Sequence, residues 1–368
     1  MLGFFSILGI HLVEVIRKVL ENKSIQGSMA TGVITLLYKK GEKSDIANYR
    51  PLTMLSVDYK IIAKLLADRL KKALPHVVNV DQTCGVEGRS IKWNLQLIRD
   101  VIAWAENREL PLMVVSLDQA KAFDRVNRGF MFKVMERMGF GEDFIGWIRA
   151  LYTGCNCLVS VNGNVGQGFE AKGGVRQGCP LSPLLFILYM EPVAEAIRLD
   201  SRIKGFVVPG AKGAVVKLSQ YADDTSLLLM SDRCLERALS LFEEFSLASG
   251  ASLNVAKSAI KFFGKFRKRR EGLGGLQVCE GPLKILGVNF QNEGSATLNW
   301  VGRIASVQKR LARWKGRRLS LMGKVLVVKM DVLPVLQYLA YIYPLPASMR
   351  RAVIRLIFNL YGGVDMNT

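Results

Sequence analysis

The chain has 368 residues, half of them hydrophobic, and carries 51 Lys and Arg against 31 Asp and Glu, a formal charge of +20. That length exceeds one ordinary compact domain and can bury two or three subdomain cores, and the apolar content excludes intrinsic disorder. The cationic excess favours a polyanionic partner, with nucleic acid ahead of an anionic membrane surface. Six cysteines (84, 155, 157, 179, 234 and 279) form no CxxC pair, and only two histidines accompany them. This argues against a zinc site and against a disulfide framework, and it fits a reducing intracellular setting.

The first element in chain order is an apolar stretch over residues 1–16. It lacks the basic start and small-residue cleavage site of a signal peptide. Phe4, Phe5, Ile7, Leu8, Leu12, Val15, Ile16 and Val19 recur at helical spacing, while His11 and Glu14 interrupt the run well short of the ~20 apolar residues a membrane span needs. The stretch reads as a packing helix. Residues 33–38 read as a strand followed by a Lys-Lys-Gly turn, and residues 59–74 and 90–107 as amphipathic helices. Residues 112–117 form an apolar strand that runs into Asp118. Two helices are expected over 129–152, broken near Gly139-Phe140-Gly141. Residues 157–169 alternate around Asn162-Gly163, a hairpin signal. Residues 183–197 read as helix, 215–230 as a second hairpin, and 231–248 as a helix ending at Gly250. Ile304, Val307, Leu311 and Trp314 mark a late basic helix. No βαβ rhythm is present, which argues against a doubly wound sheet.

The charge is concentrated late. Between Lys261 and Lys329 there are sixteen Lys and Arg against Glu271, Glu280 and Glu293. The runs at residues 265–270 and 313–318 are interleaved with Phe266 and Trp314, a pattern expected of a surface that tracks phosphates.

Asp223-Asp224 stands between two apolar runs. Successive strand residues point to opposite faces, so adjacent carboxylates converge only where the chain turns. A lone Asp pair is far more often a solvated turn. Asp118 changes that balance, because a carboxylate at the end of a buried strand is costly unless paired or metal-bound. Clustered carboxylates holding two Mg2+ ions are what phosphoryl transfer requires, and the shortage of His and Cys suits an oxygen-ligated metal.

Seven segments, in order over residues 33–290, resemble the motifs of reverse transcriptases of LINE-type (non-LTR) retrotransposons. Asn48-Tyr49-Arg50-Pro51-Leu52-Thr53 is similar to a fingers motif, and Asp81-Gln82-Thr83-Cys84-Gly85 through Gly88-Arg89 to the next. Ser116 through Asp124 looks like motif A, Gly174 through Pro183 motif B, and Tyr221-Ala222-Asp223-Asp224 motif C. Leu253 through Ser258 looks like motif D and Leu283 through Gly287 motif E. The resemblance implies an α+β right-hand polymerase with fingers, an antiparallel-sheet palm and a helical thumb. It places fingers in 1–95 and 126–172, palm in 96–125 and 173–290, and a thumb-like basic region, expected to be cut short, in 291–368.

The implied activity is RNA-directed DNA synthesis from a dNTP on a DNA primer and an RNA template. Asp118, Asp223 and Asp224 would be the palm carboxylates and ligands of two Mg2+ ions. Phe123, five residues beyond Asp118, would gate against a ribose 2′-hydroxyl; its plainer reading is a core Phe at a helix start. Gln177 and Gly178 would lie near the incoming base and template. Lys39 and Arg50 would meet the triphosphate, and Lys257 is a candidate proton donor to pyrophosphate. Asp124 would brace the turn after Phe123.

The sequence departs from the family pattern at Tyr38, Tyr221, Cys84 and Val86, none of them a metal ligand. The endonuclease and the Cys/His-rich segment that LINE proteins usually carry are not visible in this chain. Three rivals stand beside the polymerase: a catalytically silent nucleic-acid-binding remnant, a group II intron maturase and a membrane-surface protein. The nucleus and a cytoplasmic ribonucleoprotein both remain open as locations.

Overall fold

The computed structural model describes residues 5–208 and 213–361. Residues 1–4 of the apolar start and 362–368 of the expected thumb-like region lie outside the described residues. Helix α1 (Phe5–Asn22) forms where the spacing predicts it. It packs less than expected: Val19 is buried and Ile16 touches the main core, but Leu8, Ile10 and Val13 are more than half exposed. No helix among the described residues is long and apolar enough to cross a membrane.

Strands β1 (Thr31–Tyr38) and β2 (Tyr49–Leu55) form an antiparallel pair in which Leu37 faces Arg50. Ser56 then caps α2 (Val57–Val77), its hydroxyl accepting from the Tyr59 N–H at 3.4 Å. Tyr59, Ile62, Leu66, Leu70 and Leu74 make the buried stripe of α2. Ser90 caps α3 (Ile91–Asn107) in the same way. Strand β3 (Pro111–Leu117) is buried at Leu112 through Val115 and at Leu117, as its continuous apolar run requires of a strand covered on both faces.

The break at Gly139–Gly141 separates α4 (Arg128–Arg137) from α5 (Glu142–Ala150). Strands β4 (Asn156–Val161) and β5 (Asn164–Val165) are joined by Asn162 and Gly163 at φ 51° and 84°, the left-handed pair a tight hairpin needs. Strand β6 (Phe169–Glu170) pairs back onto β4. Helix α6 (Ser182–Leu199) is apolar almost all round and runs through the main core.

Strand β7 (Phe206–Val207) pairs with β8 (Val215–Val216), and the hairpin proper is β9 (Leu218–Tyr221) with β10 (Asp224–Leu229). The expected first arm is thus divided at Lys217. Its ammonium donates to the carbonyls of Ile197, Arg198 and Asp200 at 3.2, 2.7 and 2.8 Å, which draws the chain aside between the two strands. Helix α7 (Asp232–Ser249) starts at the Ser231 cap and stops at Gly250, whose φ of 80° gives the left-handed C-terminal turn. Strands β11 (Ala259–Gly264), β12 (Gln277–Val278), β13 (Leu283–Ile285) and β14 (Val288–Phe290) follow. The chain then becomes helical: α8 (Ser295–Lys315), α9 (Leu321–Val327), α10 (Leu333–Ala340) and α11 (Ala347–Phe358).

Two five-stranded sheets organise these elements. The first has the order β2-β1-β4-β5 with β6 on β4; the second has the order β12-β11-β3-β10-β9, with β3 in the middle. The second is antiparallel except for β11 with β12. The main core joins α2, α4, α6 and α7 to one face of the second sheet, and a second core packs α3 on its other face. A third core, around Trp300, Val307, Val332 and Leu339, belongs to the C-terminal helices alone.

The two basic runs attach to different parts of the fold. Residues 265–270 follow β11, and Lys265 bonds to the Leu110 carbonyl at 3.1 Å, at the end of β3 remote from Asp118. There Arg269 is held by Asp232 at 2.7 Å and lies over the rings of Phe262 and Phe266. The second run sits at the far end of α8, roughly 30 Å from its start at 1.5 Å per residue, with Trp314 packed in the third core.

Candidate active site

The site is built at one end of the second sheet. Strand β3 ends at Leu117, which faces Thr225 of β10. One step further along that antiparallel register, Asp118 comes opposite Asp224. Tyr221 faces Asp224, so Ala222 and Asp223 alone form the hairpin tip. Residues separated by more than a hundred positions are thereby brought together, and the register does it.

Backbone contacts fix Asp118. Its N–H donates to the Ser258 hydroxyl at 3.0 Å, and its carbonyl accepts from the Asn254 N–H at 2.8 Å. The turn that carries Lys257 therefore lies against Asp118, with the Lys257 side chain exposed. Across the site, Lys39 and Arg50 stand exposed at the end of the β1–β2 pair that the 39–48 loop connects.

Electrostatics tie these groups together. Burial pushes the Asp224 carboxyl up to about 6, and repulsion from Asp223 and then Asp118 adds to it, against the pull of Lys39. Burial also raises Asp223; Asp118 adds to this, while Arg50 and Lys39 oppose it. The close ion pairs of the described residues lie elsewhere, Asp81–Arg198, Asp200–Arg237 and Asp232–Arg269 among them, and none includes Asp118, Asp223 or Asp224.

The candidate donor set is all oxygen and has no close ion-pair partner, which fits a hard divalent cation. Among the described residues no three His, Cys, Asp or Glu side chains close into a ready-made metal cage. An open arrangement is what Mg2+ uses when one or two carboxylates share it with substrate phosphates.

Phe123 lies in a turn rather than at a helix start. Its half-buried ring stacks on Phe186 at 5.0 Å and 7°. Its carbonyl accepts from the Val175 N–H at 2.8 Å, joining this turn to the segment of Gln177. Gln177 accepts from the Thr53 N–H at 2.8 Å through its carbonyl, and its side chain donates to Asp124 at 3.4 Å. Asp124 thus braces across to Gln177. Gly178 has φ 110°, and a Cβ there would meet the Thr53 carbonyl oxygen at 2.6 Å, so only glycine lets the loop approach β2 this closely.

Three functional candidates had no role assigned from sequence: Gln82, Asn94 and Arg89. Gln82 is fully buried and its side chain reaches the Ala222 backbone. Arg89 donates to the carbonyls of Pro75, Val78, Asn79 and Gln82, gathering that segment into a compact turn. The Asp81-Gln82 motif marked the stretch; what it touches is a long-range fact.

The reverse transcriptase (RNA-dependent DNA polymerase) family matches residues 38–290, which span every site residue above. The chain belongs to that family. It is 35% identical over 330 residues to a Xenopus laevis protein, the transposon TX1 uncharacterized 149 kDa protein, covering 88% of this chain and 25% of that one. A Pol polyprotein of retrotransposable element R2 from Popillia japonica is 27% identical over 61% of this chain and 31% of its own length. The RNA-directed DNA polymerase from mobile element jockey of Drosophila funebris is 22% identical, covering 95% and 39%. These relatives place the chain among the LINE-type, non-LTR enzymes, and it spans a quarter to two fifths of their length. In structure, apo telomerase from Candida tropicalis is similar at TM-score 0.52 and 13% identity, covering 97% of this chain and 63% of that one, a likeness of fold.

Proposed function

We propose that this chain is the polymerase module of a non-LTR retrotransposon and adds deoxynucleoside monophosphates to a DNA primer on an RNA template. The observation that carries this is the trio of Asp118, Asp223 and Asp224, unpaired at one sheet end and facing Lys39 and Arg50. In the right-hand reading, residues 1–95 and 126–172 are fingers, 96–125 and 173–290 palm, and 291–368 thumb. With α3 taken whole, the first palm segment begins nearer 91.

Asp118, Asp223 and Asp224 would hold two Mg2+ ions, which when bound activate the primer 3′-hydroxyl and neutralise the triphosphate. The remaining roles belong to this chain's own groups. Arg50 offers a planar fork to phosphate oxygens and Lys39 a point charge. Phe123, held by Phe186, presents a fixed ring edge where a 2′-hydroxyl would clash. Gln177 and Gly178 line the approach of the base pair, Gly178 by leaving room. Lys257, beside Asp118, supplies a proton toward the leaving pyrophosphate.

The test is extension of oligo(dT) on poly(rA) with Mg2+ and dTTP, beside the Asp223→Ala, Asp224→Ala double variant. Extension by the wild type alone supports the reading. Salt-sensitive duplex binding with no extension by either protein supports the silent remnant instead.

A further inference from the structure

Ala222 has a backbone conformation its residue type rarely adopts. Its φ is 55°, in the left-handed region, while Asp223, its partner in the two-residue loop, is not at positive φ. A hairpin loop with positive φ at its first position alone ordinarily uses glycine there. A residue with a Cβ stays in that region only when its surroundings over-determine it.

The surroundings are a single carboxamide. Gln82 Oε1 accepts from the Ala222 N–H at 3.0 Å, and Gln82 Nε2 donates to the Ala222 carbonyl at 3.4 Å. Both peptide groups of the strained residue are thus engaged by one side chain. Among side chains only Asn and Gln offer a neutral acceptor and donor together in this peptide-like form. The same Oε1 accepts from the Cys84 N–H at 3.1 Å, which fixes the amide's orientation.

The clamp has its own support. Gln82 runs beside Gln220 as an isolated parallel bridge: the Gln220 N–H donates to the Asp81 carbonyl at 2.9 Å and the Thr83 N–H to the Gln220 carbonyl at 3.1 Å. Asn94, also buried, donates from Nδ2 to the Gln220 carbonyl at 2.9 Å and the Ser219 hydroxyl at 2.8 Å, and its Oδ1 accepts from Thr83. Strand β9 is therefore gripped along its outer edge up to the turn. The grip comes from a segment about 140 residues earlier in the chain.

We infer that Gln82, braced by Asn94, is a positioning residue that holds the Ala222–Asp223 turn in the conformation aiming the Asp223 carboxylate at the site shared with Asp118. The inference rests on the reading of Asp223 as a catalytic carboxylate. Without the clamp Ala222 relaxes toward negative φ, the turn changes type, and Asp223 swings away while the strands stay paired.

The experiment is Gln82→Met, which keeps the length of the side chain and removes its hydrogen bonds. It is made with and without Ala222→Gly. Four quantities are read on the full chain: kcat and KM for dTTP on poly(rA)–oligo(dT), duplex affinity, Mn2+ affinity by electron paramagnetic resonance, and thermal unfolding. Q82M lowers kcat by roughly 10- to 100-fold, as expected for a misplaced reacting group, and weakens Mn2+ binding. Its KM and duplex affinity stay near wild type. Glycine takes positive φ without steric cost, so Q82M/A222G recovers about ten-fold of the kcat loss and most of the Mn2+ affinity. A folded Q82M with wild-type kcat and Mn2+ affinity overturns the inference, as does a loss that A222G leaves untouched. If Q82M does not fold, Gln82→Glu takes its place, since it keeps the size and acceptor without the amide donor. A smaller loss in the same direction supports the clamp, and wild-type behaviour refutes it. If the wild type itself does not extend primers, the proposed function fails, and the Mn2+ affinities still decide the clamp.

Discussion

Two acidic clusters flank the segment of Asp81 and Gln82, and they are built in opposite ways. Asp81, Glu191 and Glu195 surround Arg198, which grips Asp81 through both carboxylate oxygens at 3.0 and 2.9 Å and also bonds Glu191 and Glu195. Asp118, Asp223 and Asp224 take part in none of the close ion pairs of the described residues. Burial raises carboxyl pKa values in both clusters, Glu191 to about 7 and Asp224 to about 6. Burial by itself therefore does not distinguish the two clusters. The difference lies in pairing: one cluster is closed by the Arg198 guanidinium, while the other feels the charges of Lys39 and Arg50 without a close ion pair.

The largest expected effect falls on the open cluster. Asp118→Asn should lower the rate of single-nucleotide extension by on the order of 10³-fold, comparable to losing a principal electrostatic stabiliser. In metal-free buffer its melting temperature should equal or exceed that of the wild type, because one of three repelling charges is gone. A clear loss of stability with little loss of rate would make Asp118 a structural residue and erase the contrast.

The closed cluster should behave in reverse. Arg198→Met leaves Asp81 and Glu191 buried without their cation, a change that typically costs about 3–5 kcal/mol. Urea unfolding measures it, and a variant as stable as the wild type would show that the cluster is not held by its guanidinium.

A smaller effect separates pairing from burial within that cluster. The folded-state pKa of Glu191 lies above its unfolded value, so the folded chain binds more protons between about 4.5 and about 7. Stability from this group is then fully present below the lower value and is lost as pH rises through the upper one. Glu191→Gln should flatten that part of the pH–stability curve, gaining on the wild type at pH 8 relative to pH 5. Parallel curves would mean that Arg198 compensates the ionised carboxylate completely.

The amino-acid sequence by itself determined many of the local elements and singled out the candidate carboxylates. The left-handed stop at Gly250 and the Asn162-Gly163 turn act within a few residues, so periodicity and turn chemistry suffice to read them. The carboxylates were legible for the same reason: an Asp ending a buried strand and an Asp pair between apolar runs are costly wherever the chain goes. Tertiary structure alone decided which charges find partners. It set Asp224 opposite Asp118, gave Arg198 to the other acids and placed Gln82 under Ala222. It also sent the run at 265–270 to the end of the sheet remote from the carboxylates, and left one face of α1 open. These outcomes depend on contacts between segments up to 140 residues apart, where spacing along the chain carries no information about distance in space.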